Sequence, residues 1–237
     1  MLVKKRLENV CSTALSGTLK VVNPIKKTII KTNCEVHLFI QKNALDILKH
    51  SQYIDEYSLF MKYLPQINKG LVWADQDFKS YSHFYNPREN RGIYASEYNA
   101  LDMVKLYYKK ALIYYMNGKY EKSMFYFGAS CHIIQDLTIP QHAKGKLLDN
   151  HRQFELYVKS NYKKIKRFKS YEEPLILNSV EEYANYNSLN ALKIDYIHRN
   201  IHDLNTKFYL TALNAIKLAQ TSTAGYMIMF YNDLFYN

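Results

Sequence analysis

The sequence predicts an all-α fold, a single multi-helix domain, and three observations carry that prediction. Hydrophobic residues make up 48% of the 237 positions, too many for a disordered chain. Only 7 glycines and 5 prolines punctuate it, too few for a succession of short strands and turns. Apolar residues also recur at helical spacing over long stretches. The length is ample for one buried core, and no repeat, low-complexity tract or linker divides it.

The elements follow in order. "EVHLFIQKNALDILKH" (35–50) carries apolar residues at helical intervals. "YIDEYSLFMKYLPQINKG" (53–70) predicts a second helix, disturbed at Pro65 and closed by Gly70. Residues 71–95 are polar and aromatic and predict a long loop, a feature that in a compact domain usually serves function. Ser96 is the expected N-cap of the next helix, which Gly118 ends. Helices are then expected over 119–137, 147–168, 179–194 and about 200–235, with a loop through Pro174 before the third of these.

Charge and cysteine content narrow the classes of function. The formal net charge is +11 with a pI near 9.3, which suits a polyanionic partner, either nucleic acid or an anionic membrane surface, or simply a lysine-rich soluble surface. The 23 tyrosines against one tryptophan suit helices packed through rings that keep a polar tip wet. Three cysteines (Cys11, Cys34, Cys131) are too few for a disulfide framework. No apolar run reaches the ~18 residues of a membrane span. The N-terminal stretch is basic, but Glu8, Asn9, Ser12, Ser16 and Lys20 interrupt any signal-peptide core. A cytoplasmic or non-conventionally exported protein is therefore expected.

The chemistry concentrates in "CHIIQDLTIPQHA" (131–143). His132 and Asp136 are four apart and share one helix face. Pro140 cannot continue that helix, so the chain bends before His142. His151 and Glu155 form a second pair at the same spacing. Imidazole with carboxylate is the donor set zinc prefers, although either pair alone could equally be a solvated His/acid pair. Asp75 and His83 lie in the long loop, and His37 sits in an otherwise apolar helical stretch. Five histidines thus accompany three acidic residues.

In that order and spacing the chain resembles the bacterial zinc-dependent phospholipase C family, whose fold is shared with S1/P1-type single-strand nucleases. The residues that carry the resemblance are His132-x3-Asp136-x5-His142, His151-x3-Glu155, "SHFYNP" around His83, "GLVWAD" ending at Asp75, and "TAGY…FYND" (223–233). Glu155 favours the phospholipase branch, since the nucleases more often carry aspartate there. The resemblance implies three zinc ions: one among Asp75, His83, His132 and Asp136, a second on His142, His151 and Glu155, and a third on His37 with Asp136 bridging. Asp75 would in addition act as the catalytic base or orient the attacking water.

Family spacing puts the third zinc's remaining ligand, an N-terminal residue exposed by processing, in the Pro24–Lys27 region, where no tryptophan stands. Residues 24–237 would then form the phospholipase C-like domain, after an extension over 1–23. Cys34 is a conceivable soft ligand, although a cysteine at a helix start is more commonly just buried. Gln76 and Ser80 replace the aromatic or acidic residues of the choline pocket in the best-known members, which leaves Tyr81, Phe84 and Tyr85 as the other aromatics for such a cage and the head-group preference open. The implied activity is hydrolysis of membrane phospholipids to diacylglycerol and a phosphorylated head group. A zinc phosphodiesterase acting on nucleic acid, and a non-catalytic zinc-stabilised protein binding membranes or a partner, are the alternatives. His50, His198 and His202 match no motif position, and Cys131 is expected to pack.

Overall fold

A computed structural model describes residues 34–76, 79–93, 96, 99–145 and 150–236; the 1–23 extension and the Pro24–Lys27 region lie outside them. Among the described residues there are nine α-helices and no named strand. They are α1 (Glu35–His50), α2 (Ile54–Lys62), α3 (Leu64–Ala74), α4 (Ala100–Met116), α5 (Tyr120–Asp136), α6 (Pro140–Lys144), α7 (His151–Asn161), α8 (Val180–His198) and α9 (Leu204–Phe235). Short 3-10 turns cover Lys79–Ser82 and Lys166–Phe168. The all-α expectation holds. No described helix is long and apolar enough to cross a membrane.

Helix α5 is the axis of the molecule. From Phe127 to Asp136 every residue on it is buried, because α3 and α4 flank it and α9 crosses it. A helix covered on all sides has no polar face to keep wet, so the polar side chains on it must find internal partners. Ser130 does so, its hydroxyl 2.6 Å from that of Tyr226. Phe127 stacks on Phe230 with ring centroids 4.2 Å apart and the planes 14° from parallel, which joins α5 to α9.

Gly70 was expected to close its helix; instead it sits inside α3, which runs on to Ala74. Its role is packing. A Cβ on Gly70 would run into the Phe125 carbonyl, and one on Gly128 into the Ile67 carbonyl. The two glycines let α3 and α5 approach backbone to backbone, which no larger residue would allow. Pro65 behaves as expected, with a break at Tyr63 and the proline in the first turn of α3.

Further boundaries differ from the sequence expectation, among them the end of α7 at Asn161 rather than at 168. The cap of α4 is Asn99, whose side chain accepts from the amides of Leu101 and Asp102; Ser96, the expected cap, precedes it in the loop. Helix α8 runs four residues past its expected end, to His198, whose ring Nδ1 lies 3.2 Å from the Thr211 hydroxyl. Ser179 and Asp203 cap α8 and α9 as their side chains permit.

A second, smaller core of Ile40, Phe154, Val158, Tyr162, Phe168, Phe208 and Ile216 fastens α7 onto α1 and α9. This layer brings the α7 histidine and glutamate to the C-terminal end of α5.

Candidate metal centre and its cavity

The buried end of α5 delivers His132 and Asp136 from one helix face, as the four-residue spacing requires. Asp136 is 6% exposed and faces imidazoles from three separate elements. His83 Nδ1 lies 2.8 Å from its Oδ2, His132 Nε2 lies 3.1 Å from the same oxygen, and His37 Nε2 lies 3.3 Å from Oδ1. Burial pushes the Asp136 carboxyl up, but the charges of His132 and His142 and the hydrogen bonds from His132 and His83 hold it well below the usual carboxylate range. It is therefore an anion inside the protein.

His37 is oriented by a residue that no sequence motif marked. Gln135 Nε2 donates to Gln41 Oε1 at 3.4 Å. That leaves Gln135 Oε1 to accept from His37 Nδ1 at 2.9 Å and turns the Nε2 lone pair of His37 towards Asp136. Burial and the neighbouring His132 lower the His37 pKa and keep its ring neutral. The available signal was indirect: Gln41 and Gln135 are polar residues in helical stretches that are otherwise apolar, and both are buried.

The bend after α5 places the next histidine. Thr138 Oγ1 donates to the Gln135 carbonyl at 2.8 Å, the Ile139 amide donates to the Asp136 carbonyl at 2.9 Å, and Pro140 then opens α6. Lys144 anchors α6 to α8 through Asp195 at 2.9 Å. His142, in the middle turn, donates from Nδ1 to the His83 carbonyl at 3.0 Å, and its own carbonyl accepts from the Tyr85 amide at 3.1 Å. Phe84 stacks on the His142 ring at 4.6 Å. The "SHFY" loop segment is thus pinned to α6 at both ends, and the Nε2 of His142 is left as a bare lone pair.

His151 begins α7, and its Nε2 lies 3.0 Å from His142 Nε2 and 3.1 Å from Glu155 Oε1. Burial pushes the His142 ring down to about 4. For His151, the hydrogen bond and charge of Glu155 outweigh burial and raise the pKa. Two ring nitrogens this close need a proton or a cation between them.

Other atoms in the site make the same demand. His83 Nε2 and His132 Nδ1 are buried with no hydrogen-bond partner among the described residues, a condition that costs about 1–3 kcal/mol per group unless something satisfies it. Ligand-type atoms converge in two groups, His37/His132/Asp136 and His142/His151/Glu155. Nitrogen with carboxylate oxygen fits zinc; the donors are buried apart from half-buried His37 and exposed Glu155.

Asp75 caps the C-terminus of α3 and faces the same cavity, outside both groups. Its Oδ2 accepts from the Cys34 thiol at 3.5 Å. Burial and the Asp75 charge push the Cys34 thiol far up, so it stays protonated and acts as a donor. Cys131 is fully buried in the core, as expected.

Both groups open onto one cavity of about 500 Å³. One wall carries the polar cluster; the other is apolar, with Ile40, Ile139, Phe154, Val158 and Ile216. Residues 36–219 match the family model described as zinc dependent phospholipase C.

The chain belongs to that family.

Zinc dependent phospholipase C relatives include a Bacillus cereus phospholipase C, 27% identical over 122 residues, which cover 48% of this chain and 43% of the relative. A Clostridium novyi phospholipase C is 23% identical over 239 residues, covering 86% of this chain and 60% of the relative. The chain therefore spans roughly half of the curated relatives it matches. The alpha toxin of Clostridium absonum superimposes with a TM-score of 0.73 at 22% identity, over 84% of this chain and 64% of the toxin. The Clostridium perfringens alpha-toxin gives 0.64 at 18%. These superpositions establish a shared helical fold. The family's zinc dependence agrees with the donor atoms that converge here.

Proposed function

We propose that this protein is a zinc-dependent phospholipase C that hydrolyses membrane phospholipids to diacylglycerol and a phosphorylated head group. The observation that carries the reading is the junction of two nitrogen–carboxylate clusters with an apolar wall in one cavity. A phospholipid is a phosphodiester anion attached to a hydrophobic body, and the cavity offers a surface to each.

His142, His151 and Glu155 would hold one zinc ion. His132 and Asp136, joined by His83 and Asp75, would hold a second, and His37 with Asp136 would contribute to a third. Zinc in these positions supplies positive charge to the phosphodiester oxygens and lowers the pKa of water. The chain's own residues do the rest. Asp75, with a carboxylate facing the cavity, takes the proton of the attacking water. Gln135 and the His83 carbonyl fix the ring orientations of His37 and His142. Ile40, Ile139, Phe154, Val158 and Ile216 receive the glyceryl end of the lipid and exclude water from it.

The test is phosphorus NMR of the soluble products released from mixed phospholipid vesicles, with zinc, with a chelator, and with H142A. Phosphorylated head groups that appear with zinc, vanish with the chelator and are missing for H142A support the reading. Release insensitive to both, or no release from any lipid, overturns it.

A further inference from the structure

Helix α7 carries more than ligands. Arg152, Glu155, Leu156 and Lys159 fall at i, i+3, i+4 and i+7 and make one stripe along the cavity mouth. The backbone positions of Arg152 and Lys159 are about 10 Å apart along the helix, one turn either side of Glu155. Both residues are exposed, and neither makes an ion pair or hydrogen bond within the described residues. Leu156 between them is 55% exposed, an apolar contact at the lip.

The cavity's negative groups are already occupied. On the reading proposed above, Asp75, Asp136 and Glu155 attend to metal ions, and Glu35 accepts from the Tyr162 hydroxyl at 3.0 Å. What remains free at the entrance is basic. A quaternary ammonium head group needs aromatic faces around it. Among the described lining residues the one Phe, Tyr or Trp ring is Phe154, and it belongs to the apolar wall. Phe84 and Tyr85 are engaged elsewhere, Phe84 stacked on His142 and Tyr85 bonded to Asn185 at 2.8 Å.

We infer that the cavity selects phospholipids of net negative charge over zwitterionic choline lipids, with Arg152 and Lys159 as the selecting residues. The inference rests on the phospholipase C reading and deepens it. Two cations at the mouth repel a choline ammonium and attract a lipid whose phosphate charge is unbalanced. Arginine adds a planar fork that pairs with phosphate through two hydrogen bonds.

The experiment uses short-chain lipids below their micelle concentration, so that recognition of one lipid molecule is separated from adsorption to a charged surface. The zinc-loaded full chain is assayed on monomeric dihexanoyl-phosphatidylglycerol and dihexanoyl-phosphatidylcholine. The expected kcat/KM ratio is about tenfold or more in favour of the glycerol lipid, shrinking as salt is raised. In R152Q/K159Q the ratio falls to within about twofold. In K119Q/K122Q, which removes equal charge at the far end of α5, it stays high.

Equal or faster turnover of the choline lipid by the unaltered protein overturns the inference and leaves the phospholipase reading standing. So does a preference that survives R152Q/K159Q. Loss of the preference in K119Q/K122Q as well would mean that overall charge, not the stripe, is responsible, and would also overturn it. No turnover of either lipid overturns the inference, and the phospholipase reading falls with it when the mixed-vesicle assay is silent as well.

Discussion

His142 Nε2 and His151 Nε2 face each other across 3.0 Å, although one ring belongs to a five-residue helix and the other to the next helix along. The His83 carbonyl accepts the Nδ1 proton of His142, which removes any freedom to turn a donor towards His151. The pair is preorganised for a cation. Replacement of His142 by alanine is expected to lower zinc affinity by more than the roughly 10–100-fold usual for losing a supporting group. Zinc counted by atomic absorption after gel filtration should fall by one ion relative to the unaltered chain, with the far-ultraviolet spectrum unchanged.

Gln135 provides a milder perturbation. Its Oε1 holds the ring of His37 at 2.9 Å without facing the cluster as a ligand. Q135L is expected to weaken zinc binding by about 10–100-fold, while Q135E, which keeps an acceptor at that place, restores part of the loss. Zinc titration against a competing chromophoric chelator measures both, and equal defects in the two variants would contradict the positioning role.

The approach of α3 to α5 makes a purely structural prediction. G128A puts a Cβ against the Ile67 carbonyl, a backbone atom that cannot swing aside as a side chain would. Destabilisation of about 1–3 kcal/mol is expected, read from urea unfolding midpoints at constant m-value. Gly118, whose φ is +70° but whose Cβ would meet nothing, provides the contrast. G118A should lose only the smaller strain of a left-handed residue, about 1 kcal/mol.

Much of this site was legible before the fold was known, and the reason is local. His132 and Asp136 share a helix face by spacing alone, and Pro140 announces the bend that brings His142 round. What spacing could not give is the meeting of His151 with His142, which depends on how Phe154 and Val158 dock α7 onto the second core. Gln135 was invisible because glutamine is an ordinary helix residue until its burial is known. Gly70 departs from its expected role because a glycine after an apolar run looks like a helix stop, whereas its real partner, the Phe125 carbonyl, is distant in sequence. Ser96 and Asn99 are both good caps, and only the backbone path of the loop chose between them.

Acid should weaken the metal-free protein in a definite direction. Burial depresses the His142 ring from its ordinary 6.5 to about 4. Between those values the unfolded chain binds a proton there and the folded chain does not, so stability rises with pH in that window. Nothing is lost above about pH 6.5, and on the order of 3 kcal/mol is lost by about pH 4. His37 shifts in the same direction and His151 in the opposite one, so the His142 share is read by difference. Urea unfolding of chelator-treated protein across this window should be steeper in pH than that of H142Q; parallel curves would contradict the assignment.

The central claim is that metal ions occupy the two converging groups, and anomalous diffraction at the zinc edge from crystals grown with zinc tests it most directly. The expected map has one peak between His142, His151 and Glu155, about 2.0–2.2 Å from each ligating atom, and further density beside Asp136, His83 and His132. A map with no peak between the two facing imidazoles, in a protein that still releases head groups, would contradict the account.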